Sequence, residues 1–303
     1  MTDDRLSGVL SPVVTPFKDD LSPDPERLIK QCQWLLSQNV GLAVFGTNSE
    51  ANSLSVDEKI MLLDRMADAG VNTGRMMPGT GCCALTDTVR LTAHAAKLGC
   101  AGTLMLPPFY YKGVSDEGIF ANFAEVIERV GDQSLRIYLY HIPPIAQVGF
   151  SVDLIERLVT RYPRTIVGIK DSSGDWDNTY AMLERKWDDF RVFVGSESFL
   201  LANMRNGGAG CISATANVNP AAIDRLYQTW EHDDAEQQQQ ALDEIRDTVI
   251  AYPMIPALKA TVAEFSADEQ WRTVRPPLVT LDQDNSSALA GALRRKDFAM
   301  PGL

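Results

Sequence analysis

One lysine in this 303-residue chain stands where lysine is seldom placed. Lys170 closes the apolar run Thr165–Lys170 (TIVGIK) and is followed at once by DSSGD. Lysine is among the side chains least often fully buried, and desolvation lowers an ammonium pKa, on the order of 3–5 units when it is complete. A lysine so placed offers a neutral amine near neutral pH, as Schiff-base formation with a carbonyl requires. The plainer alternative is a strand-end lysine paired with Asp171 at the surface. Tyr140 lies near the end of the preceding apolar run, RIYLYHI, where it can face Lys170 across adjacent strands. Its phenol can donate and accept the protons that move as a carbinolamine loses water and a C–C bond breaks; otherwise it is a core tyrosine with a satisfied hydroxyl. The loop Gly46–Ala51 (GTNSEA) brings the Thr47 hydroxyl, the Asn48 amide and backbone N–H groups. Such a set suits a carboxylate without needing net positive charge, although read alone it is an ordinary loop rich in turn formers.

The elements that must hold these groups recur regularly. Apolar, β-rich runs lie at Gly8–Thr15, Gly41–Gly46, Arg75–Gly79, Gly102–Leu106, Arg136–Ile142, Thr165–Lys170, Arg191–Gly195 and Gly210–Thr215. Helical periodicity fills the gaps: Pro25–Ser37, Val56–Ala69 (with a Ser55/Glu58 capping box), Leu85–Leu98, Ser115–Val130, Val152–Thr160, Trp176–Lys186 and Phe199–Arg205. Near-continuous apolar strands are what a parallel sheet buried on both faces requires. Eight strands in this length predict an α/β fold of the (β/α)8 TIM-barrel type, and the Gly-rich turn of a dinucleotide-binding sheet is missing after the first strand. Helical segments continue at Pro220–His232, Ala235–Ala251, Ile255–Glu264 and Ser286–Arg295. The expected organisation is a barrel over 1–232 and a C-terminal helical appendage over 233–303 packed on it. In such a barrel the working residues stand at strand C-termini and in the loops that follow. The Asn206–Gly210 glycine run precedes its strand, so turn geometry explains it better than a phosphate cradle.

Composition removes several functions. The chain is 45% hydrophobic and 22% charged, ordinary for a globular protein with a sizeable core. Its 28 basic and 40 acidic residues leave a net charge of −12, which opposes nucleic-acid and anionic-membrane partners. The same field opposes a small anionic substrate unless a local feature overrides it. Three histidines and five cysteines show no zinc spacing, so no metal is expected. Reduced thiols, with Cys82 and Cys83 as loop or core residues, fit a cytoplasmic protein. No signal-peptide pattern opens the sequence and no apolar run is long enough to span a bilayer. His141, on the opposite strand face from Tyr140, reads as structural, and His94 as a helix residue.

Six motifs follow in order along the chain, within a likeness that runs from about Gly8 to Leu281: SPVVTPF, GTNSEANSLS, LPPFYYKGVSDEG, YHIP, VGIKDSSGD and GGAGCISATANVNP. Together they resemble the dihydrodipicolinate synthase / N-acetylneuraminate lyase family, the class I pyruvate-dependent aldolases. The resemblance implies Lys170 as the nucleophile that forms an imine with a 2-oxo acid such as pyruvate, without metal or organic cofactor. It implies Tyr140 as proton shuttle, Thr47 as the hydroxyl linked to it, and Tyr110 as a relay tyrosine lent to a neighbouring subunit. It places the Ile212 carbonyl against the pyruvyl group and implies a homotetramer, a dimer of dimers. Asn48 and Ser49 depart from the family loop, and a serine would be strained if that position needs positive φ. Ile145 stands where the synthases carry an arginine for a second carboxylate. The chain is therefore nearer the sugar-acid lyases, with Ile145, Ser172 and Ser196 as candidates for binding the rest of the substrate. The expected function is a lyase that cleaves or condenses pyruvate with an aldehyde, or dehydrates a 2-keto-3-deoxy sugar acid. Its alternatives are a 4-hydroxy-tetrahydrodipicolinate synthase and an oxo-acid-binding barrel without turnover.

Overall fold

The computed structural model describes residues 5–303. Strands and helices alternate in chain order: β1 Gly8–Ser11, α1 Pro25–Ser37, β2 Gly41–Leu42, α2 Val56–Asp68, α3 Leu85–Lys97, β3 Thr103–Met105 and α4 Asp116–Val130. Next come β4 Ile137–His141, α5 Pro143–Ala146, α6 Val152–Arg161, β5 Ile166–Asp171, α7 Trp176–Glu184, β6 Arg191–Val194, α8 Leu200–Arg205 and β7 Gly210–Ile212. The chain ends in α9 Pro220–Thr229, α10 Ala235–Ile250, α11 Met254–Ser266 and α12 Gln283–Arg294. Contacts divide the described residues into two compact units, one of those up to Gly8 with Asn72–Ile212, the other of Val9–Val71 with Ser213–Leu303. The division expected at 232 falls inside the second unit, between α9 and α10.

In the first unit β3, β4, β5, β6 and β7 pair in parallel, each with the next. The helices between them cover a core that includes Phe123, Val126, Leu139, Ile155, Leu158 and Ile169, all buried. Serine N-caps start those helices: the Ser115 hydroxyl accepts from Gly118 N–H, and the Ser151 hydroxyl from Leu154 N–H. The run Arg75–Gly79, expected as a strand, is an isolated parallel bridge of Gly79 with Leu104. It runs beside β3, with Leu104 N–H donating to Pro78 O and Thr80 N–H to Leu104 O. Pro78 itself has no N–H to give, which shortens the ladder. The glycine run before β7 works as packing and turn: Gly207 has φ 83°, and a Cβ at Gly208 would meet the buried Asn203 amide at 2.1 Å.

In the second unit β1 and β2 pair in parallel, Leu10 beside Gly41 and Ser11 beside Leu42. Asp24 caps α1, where Pro25 occupies the first turn, and the Ser55/Glu58 capping box opens α2 as the sequence predicts. The buried Asn217 amide ties its own turn to the segment after β1: it accepts from Val14 N–H and donates to Pro12 O and Ala214 O. Helices α10, α11 and α12 pack on one another in this unit. Among the described residues, no helix is long and apolar enough to cross a membrane.

Candidate active site

Strand register brings the two principal residues together. Tyr140 of β4 lies directly opposite Lys170 of β5. Both are almost fully buried, each 3% exposed. The Lys170 Nζ stands 3.4 Å from the Tyr140 hydroxyl and 4.4 Å from the centre of its ring. Pairing of Lys170 with Asp171 at the surface is not what the chain does. Strand alternation turns Asp171 to the other face, where its carboxylate accepts from Ser173 N–H, the Asn178 amide and the Thr179 hydroxyl. A buried amine within reach of a phenol can attack a carbonyl and pass protons to it.

The residues around this pair are locked by local chemistry. His141 pairs with Asp171 one step along the register. Its Nδ1 accepts from Phe150 N–H at 3.0 Å, which requires the unprotonated nitrogen. Burial holds its pKa below the usual histidine value, opposed by the Asp171 charge. That bond fastens the loop carrying Ile145. One level past Lys170, Ser172 packs so closely on Gly195 that a Cβ there would meet the Ser172 Oγ at 2.0 Å. The Ser196 hydroxyl accepts from Ser198 N–H and caps the turn after β6. Ile212 ends β7, fully buried.

Tyr110 and Ile145 are instead outward, 74% and 62% exposed, and Tyr110 meets Tyr111 edge to face at 5.4 Å. The Lys112 ammonium joins their two loops, donating to Phe109 O and, at 2.6 Å, to Ala146 O. A cation therefore stands beside the Ile145 segment, which the sequence around Ile145 alone does not reveal; it comes from the YYK loop.

Thr47 and Asn48 belong to the second unit, in a 3-10 turn over Thr47–Ser49. Ser49 is not strained: left-handed φ values fall on Phe45 (61°) and Glu50 (54°) instead. The Ser49 hydroxyl accepts from Gly46 N–H, and its carbonyl accepts from the Thr15 hydroxyl at 2.7 Å. The groups that hold this turn lie far from it along the chain and outside its motif. The Glu50 carboxylate accepts from the Lys259 ammonium and from Arg275 N–H. The available signal is Lys259 inside the apolar stretch MIPALKATVA, since a lysine buried in a helix needs a partner.

The profile of the dihydrodipicolinate synthetase family matches residues 5–296. The chain belongs to this family. A curated relative from Chloroflexus aurantiacus, named an uncharacterized DapA-like lyase, is 32% identical over 95% of this chain and 96% of its own. The crystal structure of dihydrodipicolinate synthase from Agrobacterium tumefaciens superposes with TM-score 0.87 at 30% identity, covering 95% of this chain and 98% of that one. Dihydrodipicolinate synthase from Acinetobacter baumannii, complexed with pyruvate, gives TM-score 0.86 at 26% identity, covering 97% and 99%. As a dihydrodipicolinate synthetase family member the chain is an α/β protein of the (β/α)8 barrel class with C-terminal helices, and a lyase of the class I aldolase type. The sequence resemblance and the expected enzyme class are both borne out.

Proposed function

We propose that Lys170 forms an imine with pyruvate or a pyruvyl-bearing 2-oxo acid and that the enzyme cleaves or forms the bond between that unit and an aldehyde. The observation that carries this is the buried Lys170 Nζ at 3.4 Å from the Tyr140 hydroxyl. The neutral amine adds to the 2-oxo carbon, Tyr140 helps protonate the oxygen, and water leaves to give a protonated imine. In the cleavage direction the substrate hydroxyl loses its proton, the C–C bond breaks to release aldehyde, and the electron pair enters the imine to form an enamine. Protonation of the enamine and hydrolysis return pyruvate and free Lys170. The imine nitrogen is itself the electron sink, so the chemistry calls for no dissociable cofactor. Thr47 and Asn48 take the carboxylate, and the Ile212 carbonyl, Ile145, Ser172 and Ser196 are proposed to border the bound substrate.

Dehydration of a 2-keto-3-deoxy sugar acid uses the same imine and stays within this reading. Synthase activity toward 4-hydroxy-tetrahydrodipicolinate is the second reading, favoured by the names of several relatives 27–29% identical. Against it, exposed Ile145 stands where a second carboxylate would want a cation. The exposed Tyr110 and Tyr111 support the further proposal that this loop meets another copy, within a homotetramer. Replacing Tyr140 with Phe tests the mechanism. Steady-state turnover should fall by about 10²–10⁴-fold, the usual worth of a positioned proton donor, while the covalent adduct with pyruvate still forms. Unchanged turnover would remove Tyr140 from its role.

A further inference from the structure

A second buried lysine takes no part in the imine chemistry. Lys259, in α11, is fully buried, and its ammonium faces three partners: the Glu50 carboxylate, the Thr273 carbonyl at 2.7 Å and the Phe17 ring at 4.4 Å. With its donors engaged and its charge paired, it is not a competing nucleophile. The other Glu50 oxygen accepts from Arg275 N–H at 3.0 Å. The Arg275 guanidinium continues to Ser53 O at 2.6 Å and to the Glu58 carboxylate, over the same Phe17 ring. Glu58 in turn accepts from Ser55 N–H at 2.8 Å, closing the cap of α2. The C-terminal segment thus grips residues 50–58 through two carboxylates.

This pair is a poor device for stability alone. Burying two charges costs solvation that their attraction repays only with good geometry, and replacing such a pair by well-packed apolar residues is often harmless. Burial pushes the Lys259 ammonium down to about 8, opposed only in part by Glu50 and aided by Arg275. What the pair does achieve is conformational. Glu50 sits in the left-handed region, φ 54° and ψ 36°, immediately after the Thr47–Ser49 turn. A non-glycine residue holds that conformation only where its surroundings over-determine it.

We propose that Lys259 is a positioning residue: by pinning Glu50, it sets the Thr47–Ser49 turn in the form that receives the oxo-acid carboxylate. This inference rests on the lysine-imine reading given above. The C-terminal helices then serve the site directly, through one ammonium, and are more than an appendage.

The test compares wild type with Lys259→Met and with the double variant Glu50→Gln/Lys259→Met. The double variant removes both charges, and the amide oxygen that replaces the carboxylate can still accept from Arg275 N–H. Two readouts are taken beside the melting temperature: the pyruvate concentration that half-saturates borohydride-trapped adduct at Lys170, and amide exchange in peptides covering 46–54. The double variant should melt near wild type, yet need about tenfold more pyruvate, the worth of one charge-assisted hydrogen bond, and exchange faster in that segment. Wild-type half-saturation and exchange in the double variant would overturn the proposal, leaving the pair a purely structural contact. If wild type itself traps no pyruvate, the imine reading fails. The exchange result then decides alone whether Lys259 holds the turn.

Discussion

At the scale of single residues, neighbouring groups divide the labour by strand face. Tyr140 and Lys170 share one face of β4 and β5, while His141 and Asp171 share the other and are consumed by structural bonds. The His141 bond makes a pH prediction. Because burial keeps the folded-state pKa of His141 below 6.5, the unfolded chain takes up the proton first as pH falls through that value. Stability from this site is therefore complete above 6.5 and is lost progressively below it. Urea unfolding of wild type should weaken between about pH 7.5 and about pH 5.5 more than that of His141→Asn, whose amide can accept from Phe150 N–H at either pH. Equal slopes would show that His141 does not carry this linkage. The facing of Lys170 and Tyr140 was legible in the sequence because alternation and parallel register act over a few residues. The partner of Lys259 was not, since Glu50 lies 209 residues away along the chain.

At the scale of elements, strand ends hold the candidate site through packing too close for side chains. Gly195 follows β6, and a Cβ there would stand 2.0 Å from Ser172 Oγ and 2.9 Å from its Cα. The obstruction includes backbone, so a rotamer change cannot clear it. Gly195→Ala should cost about 1–3 kcal/mol in denaturant unfolding, the usual range for overpacking, and should displace Ser172. A change below the error of the measurement would mean that the strand end yields easily. Most helices were readable from their periodicity and capping residues, as the Ser55/Glu58 box shows. The apolar composition of Arg75–Gly79 predicts a third strand, but Pro78 has no donor for the ladder and the run forms only the Gly79–Leu104 bridge. The short helix α5 was missed for a related reason: four residues beginning with two prolines carry no periodicity.

At the scale of the whole molecule, the net charge of −12 raised the question of how an anionic substrate is held. In the proposed chemistry the imine at Lys170 and the donors at Thr47 and Asn48 answer it locally, whereas the Lys112 ammonium beside Ile145 is taken up by the Phe109 and Ala146 carbonyls. The exposed Tyr110–Tyr111 pair belongs to the same loop. Sedimentation should show a homotetramer for wild type and smaller species after Tyr110→Ser/Tyr111→Ser, since exposed aromatic anchors dominate such contacts. An unaltered wild-type and variant mass would place the subunit contact elsewhere. The family was legible from six ordered motifs, whereas substrate identity was not, because it depends on which side chains of distant loops converge. The central claim is covalent catalysis by one lysine. Incubation with pyruvate and borohydride, followed by intact-mass measurement and peptide mapping, should give a single reduced adduct on Lys170. A folded protein that gains no mass, or an adduct carried by Lys259 or another lysine, would contradict it.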